Sequence, residues 1–135
     1  MNGLELADAV KTRLTAQITG RTIYKGGVPD GAPPPRYIVV WTSEGDEESA
    51  RASGTVSIQT PTLWVTCVSR NVAPEQAGRE SGADAAAVRR ALRNWRPQTR
   101  WAVKAESSQP ARRDESISTT TFMAVEQFSL RSTAA

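Results

Sequence analysis

The densest group of chemistry-capable side chains is the acidic run "SEGDEES", where Glu44, Asp46, Glu47 and Glu48 fall within five residues. Clustered carboxylates are hard-cation ligands, but a calcium loop needs alternating ligands around a central glycine and a distant bidentate glutamate. That spacing is absent, and a block of like charges is an exposed, mutually repelling surface. Residues 43–54 therefore read as a solvated, mobile loop. Asp114 and Glu115 are adjacent in sequence, so they cannot face one another as an acid/base pair. Lys104 has no neighbour in sequence that would lower its pKa. The glycine-rich "GGVPDG" has neither Gly-Lys-Ser nor a GxGxxG before a helix, so it fits no phosphate cradle. Cys67 lies in the middle of an apolar strand pattern, which makes it a buried, inert thiol, and as the one cysteine it excludes an internal disulfide. The chain has no histidine, the commonest general base and metal ligand. Zinc chemistry would need Cys/His clusters that do not exist here. No catalytic set, cofactor site or metal site emerges, and the expectation is a protein that is not an enzyme.

Charge is the remaining signal. Residues 70–113 hold ten Lys/Arg against four Asp/Glu, whereas residues 30–52 hold two Arg against five acids. Arg89, Arg90 and Arg93 sit together on a helical segment. Such asymmetry suits phosphate contacts or the association of opposite patches between copies. The first is the weaker reading. Trp95, the aromatic nearest these arginines, falls on the apolar stripe, and "LWVTCVSR" lacks the glycine/aromatic/basic signature of RNA-binding sheets.

The elements that must position these groups follow from periodicity. Residues 3–19 read as a helix: Asn2 caps it, Glu5 completes a capping-box pattern, and Leu6, Val10 and Leu14 recur every four residues beside Ala7 and Ile18. Gly20 stops it. "RTIY", 21–24, is a short strand. Next comes "VPDGAPPPRYIVVW", in which the consecutive Pro33, Pro34 and Pro35 favour a stiff polyproline segment that delivers the chain to the following strand at a fixed angle. "RYIVVWT", 36–42, is a β-branched and aromatic run without alternation, a central strand covered on both faces. Residues 54–70 form one long strand or two short ones broken near Pro61, again with two covered faces. A second helix runs from about Pro74 to Trp95, with Ala85, Val88, Leu92 and Trp95 as its stripe. Residues 100–106 are a strand, 107–119 a polar linker and 121–130 the last strand. The order predicts an α+β fold: one mostly antiparallel β-sheet with two helices packed on it, in a single domain over 1–135 with a frayed end at 132–135. Most of Trp41, Trp64, Trp95 and Trp101 belong in the core, with one or two left for an interface. At 39% hydrophobic and 23% charged, the composition is that of a soluble globular protein. No apolar run approaches the roughly 20 residues of a membrane span, and the acid-bearing start is not a signal peptide, so no membrane and a cytoplasmic origin are expected.

The layout as a whole resembles a known family. The helix "LELADAVKTRLTAQI" is followed by "IYKGGVPDGAPPPRYIVVW", a loop of the type VYxGxVPxGAPxPYxVV. An acidic loop, a strand pair ending "LWVTCVSR", the helix "GADAAAVRRALRNW" and the strand "FMAVEQFSL" complete it. Over roughly residues 3–131 this is similar to the tail terminator family of long-tailed bacteriophages, also called minor tail or tail completion proteins. The resemblance implies a β-sheet flanked by helices and a homo-oligomer, a hexameric ring that caps the tail tube. Such a ring ends tail polymerisation and joins the tail to the head connector. DNA passes through the lumen without specific binding. The implied location is the tail–head joint of a virion assembled in the host cytoplasm, with the tail tube protein and head connector or neck proteins as partners. The alternatives are a head-side neck protein of the same fold and, in a different class, a small basic nucleic-acid-binding module. A ring needs two complementary patches per subunit. Residues 43–53, with Glu44, Asp46, Glu47 and Glu48, and the arginines Arg89, Arg90 and Arg93 are candidates for the two sides of one subunit contact; alternatively the acidic loop lines the lumen and keeps DNA from sticking. Pro33–Pro35 would reduce the ordering cost of that assembly.

Overall fold

A computed structural model describes every residue except 1, 29–30, 32, 44–45, 50–56, 72, 116–119 and 133–135; the side chains of 46–49, 57–60 and 132 also lie outside the description. Helix α1 spans Gly3–Gln17. Its first turn is closed by the Asn2 carboxamide oxygen, which accepts the Glu5 N–H at 2.8 Å. The stripe Leu6, Ala7, Val10 and Leu14 is buried. A Cβ on Gly3 would lie 2.6 Å from the Ser43 carbonyl oxygen, so only glycine lets the helix begin against the end of a strand. The helix stops two residues earlier than its periodicity suggests because Ile18 is already extended.

The strands are β1 (Thr22–Lys25), β2 (Arg36–Thr42), β3 (Asp46–Ser49), β4 (Ser57–Thr60), β5 (Thr62–Arg70), β6 (Trp101–Arg113) and β7 (Thr121–Ser132), with helix α2 (Pro74–Leu92) between β5 and β6. Five of them form one sheet in the order β1-β2-β5-β7-β6. Only β1 and β2 run parallel; the other neighbours are antiparallel. This is the α+β arrangement that the element order predicts. Ile38 and Val40 of β2, Val65 and Cys67 of β5, and Ala124 and Phe128 of β7 occupy alternate positions on one face, and they join the buried stripes of both helices in a single core. Both helices thus cover the same face. The opposite face carries Tyr37, Val39, Trp41, Trp64, Thr66 and Val68. There Tyr24 meets Tyr37 edge-to-face at 5.9 Å, and Trp41 stands directly across from Trp64.

Several expectations need correction. Trp41 is 42% exposed, and none of the four tryptophans is fully buried. Two lie on the helix-free face. Trp95 and Trp101, past the end of α2 in the chain, are partly buried and pack against the core as expected, and Trp95 carries the Arg13 guanidinium 5.6 Å from its ring centroid. On β5, Leu63, Val65 and Cys67 are buried while Trp64 and Thr66 are only half-buried, so its outer face is less covered than expected. Helix α2 ends at Leu92 rather than Trp95, because Arg93 is extended and Asn94 takes a φ of 62°. Residues 46–49 are not loop but strand β3, paired with β4 in a separate two-stranded ribbon. The ribbon tolerates its acids because Asp46, Glu47 and Glu48 stand opposite the neutral Thr60, Gln59 and Ile58. Residues 107–113 are not linker but the second half of β6. The long β7 supplies a ladder, and register shifts between Ala105 and Ser107 and between Gln109 and Arg112 absorb the irregular sequence. The break at Pro61 separates β4 from β5.

The polar contacts explain the proline run. The Arg70 guanidinium donates to the Pro33 carbonyl at 2.6 Å, and the Arg70 N–H donates to the Pro35 carbonyl at 2.7 Å. The prolines thus fasten to the end of β5 through carbonyl groups, the only backbone hydrogen-bonding groups they have. The next residue, Arg36, is aimed at α2, where its Nε and Nη2 each donate to the Asp84 carboxylate at 2.8 Å. Arg21, just before β1, reaches the same carboxylate at 3.2 Å. Glu80, one turn earlier, takes the Ser69 hydroxyl at 2.8 Å and the Arg36 guanidinium at 3.6 Å. Asp84 is 3% exposed, so its charge depends on these two arginines. Asp84→Ala is expected to lower stability by about 3 kcal/mol. Lys25→Ala, which removes an exposed ion pair with Asp8, should cost under about 1 kcal/mol. Urea unfolding of the two variants checks the contrast.

Candidate functional site: the cleft between α2 and β6

Helix α2 buries Ala77, Ser81, Asp84, Ala85, Val88, Ala91 and Leu92, which leaves its arginines at the surface. The residues it turns toward β6 are small. Gly82, Ala85 and Ala86 face Ser108, Pro110 and Ala111 across a cleft of about 330 Å³, with Ala124 and Glu126 of β7 at its floor. The cleft exists because alanines and a glycine leave this part of the helix–sheet interface unfilled.

Glu126 occupies a position where the alternation Ala124, Phe128, Leu130 would place an apolar residue, and it is 5% exposed. The Ser108 hydroxyl donates to its carboxylate, and Arg89 Nε lies 3.8 Å from it. Arg89 itself is 43% exposed, so the pair bridges the floor and the lip of the cleft. Arg90 also lines the cleft. Arg93 follows one turn later, just past the helix end. Among the described residues no carboxylate pairs with Arg90 or Arg93. The lip therefore carries surplus positive charge over a single buried acid.

The structure separates the sequence candidates into distinct places. Arg89 and Arg90 come together at the cleft, and Arg93 extends the same line. Pro33, Pro34 and Pro35 lie at the start of β2, separated from β6 by the two strands β5 and β7. Asp46, Glu47 and Glu48 are on the ribbon, which leaves the sheet where β2 and β5 end together and touches β7 through β4. Glu44 lies outside the described residues. Lys104 is exposed and pairs with Glu106 at 3.8 Å. A Ser129 hydrogen bond, with Lys104 beside it, holds the Glu106 carboxyl below its usual range. Cys67 is fully buried, and burial above all pushes its thiol pKa up, so it stays protonated and unreactive. Two chemical features escaped the sequence reading: Glu126 with Ser108, and Asp84 with its arginines. The available signal was an acid inside an apolar periodicity. Glu126 interrupts an alternating strand, and Asp84 sits on the buried stripe of α2.

Since Arg90 is exposed and unpaired among the described residues, Arg90→Glu is expected to change stability by less than about 0.5 kcal/mol. Glu126→Ala strands Ser108 and Arg89 over a void and should cost roughly 2 kcal/mol. Thermal melts of the two variants check this.

No family model matches the chain, and no curated protein matches it. Among solved structures, the chain is similar to one from the virion of a native gene transfer agent particle, with 22% identity, 98% of this chain and 96% of that chain covered, and a TM-score of 0.63. The likeness extends end to end, so the two chains share a fold.

Proposed function

We propose that this chain is a structural protein of a phage-like virion that assembles as a homo-oligomeric ring, caps the tail tube, ends its polymerisation and forms the joint to the head. The observation that carries the reading is the end-to-end fold likeness to a chain of a gene transfer agent virion. It agrees with the resemblance of "IYKGGVPDGAPPPRYIVVW" and "GADAAAVRRALRNW" to tail terminators. The molecule also has the physical makings of a ring subunit. It carries two unlike, oppositely charged surfaces, the acidic ribbon and the arginine lip, and a head-to-tail ring needs two different complementary patches. Its proline segment is fastened to the sheet by Arg70, so little ordering cost falls due when copies meet. On this reading the protein has no catalytic role, and DNA crosses the lumen without specific contacts.

Light scattering on a sizing column, over a range of protein and salt concentrations, tests the proposal. The expected result is a species of six chain masses of 14.6 kDa, in solution or once tail tubes are supplied. A strict monomer that leaves tube ends bare would overturn it. Binding to connector rings instead of tubes would move the protein to the head side of the neck. Tight DNA binding that weakens steeply with salt would replace the reading with a nucleic-acid module.

A further inference from the structure

We infer that the cleft between α2 and residues 108–111 of β6 receives the β3–β4 ribbon of a second copy of this chain. The inference rests on the ring reading and assigns its subunit contact. Three observations carry it.

The first is charge. Arg89 and Arg90 line the cleft, Arg93 continues their line past the helix end, and Glu126 alone offsets them from within. The ribbon segments 46–49 and 57–60 hold three acids and no Lys or Arg. The two surfaces complement one another, and charged contacts of this kind fix register and select the partner.

The second is the backbone. β6 is the outer strand of the sheet. Its first part is covered, because the Val103 N–H donates to the Trp95 carbonyl at 2.8 Å and the Val103 carbonyl accepts from the Asn94 N–H at 2.9 Å. No strand other than β7 pairs with 107–113 among the described residues. An open strand edge is a template for a further strand. Pro110 withholds one donor, so the added ladder is short, which fits a ribbon whose strands are four residues long.

The third is the lining. Small residues of α2 and β6 make the cleft narrow and shallow-walled, Ser108, Gln109 and the two arginines add polar groups along it, and one buried carboxylate lies at the floor. A phosphate chain reaching the floor would meet the Glu126 carboxylate, which repels it; a slender protein segment that keeps its own charges at the lip fits. Ribbon and cleft are different surfaces of one chain, so the contact is heterologous and repeats until it closes.

The test uses the exposed Arg90 and Arg93 and the ribbon residues Glu47 and Glu48, and it leaves the Arg89–Glu126 pair intact. Four full-length chains are compared by light scattering, in solution and on tail tubes: the natural chain, R90E/R93E, E47R/E48R, and all four substitutions together. Each pair is expected to weaken assembly at least about tenfold, and the combination to restore it to within about threefold. Ala86→Trp, which fills the cleft from the exposed side of α2, should block assembly without lowering the melting temperature. Unchanged assembly in both charge-reversed pairs and in Ala86→Trp would overturn the docking while leaving the ring reading intact. A natural chain that never associates would overturn both. Loss of salt-sensitive DNA binding in R90E/R93E at unchanged mass would assign the arginines to nucleic acid and overturn the docking alone.

Discussion

One buried carboxylate, Asp84, organises the fold. Two arginines from separate parts of the chain converge on it, Arg21 from the entrance to β1 and Arg36 from the first position of β2. A buried charge with its partners removed is costly, so the carboxylate and its arginines stabilise one another's placement. The contact joins the start of the parallel strand pair to the middle of α2. Glu80 extends it to Ser69 at the far end of β5. The apolar core supplies most of the driving force for collapse, but it is built from alternating Val, Leu, Ile and Ala that would tolerate a small slide of the helix. The Asp84 cluster fixes where along the sheet α2 lies.

That placement explains the glycine- and proline-rich segment before β2. The proline carbonyls are held by Arg70, and Arg36 emerges directly after them at the angle that reaches Asp84. Downstream, the fixed helix presents Gly82, Ala85 and Ala86 to β6 and leaves the cleft open, with Arg89 and Arg90 at its lip. A preformed cleft on the same chain as an acid-bearing ribbon suits the proposed ring, whose subunits would join with little reordering.

Much of this was legible in the sequence, and the reason is local. Leu6, Val10 and Leu14 repeat at helical spacing, Asn2 caps, and Pro61 breaks a strand, so α1, β2, β5 and most of α2 follow from short-range rules. Two strands escaped those rules. β3 is built from acids that disfavour pairing on their own, and it forms because neutral residues of β4 stand opposite them. The second half of β6 reads "SSQPARR", and it forms because β7 is long enough to hold it through two register shifts. Both are tertiary rescues that no local window reveals. The arginine trio was visible as a charge cluster, whereas the cleft was not. It depends on small residues of α2 meeting a distant strand, and on Glu126 sitting where an apolar side chain was the natural reading.

The chain shares its fold end to end with a chain of a gene transfer agent virion. A capping ring is the proposal that unites the tethered proline segment, opposed charges and a free strand edge in one mechanism. The most direct measurement is electron microscopy of tail tube protein polymerising with and without this chain. The account predicts tubes that stop growing and carry added density at one end only, in proportion to the chain supplied. Tubes of unchanged length with bare ends, under conditions where the chain is folded, would contradict it.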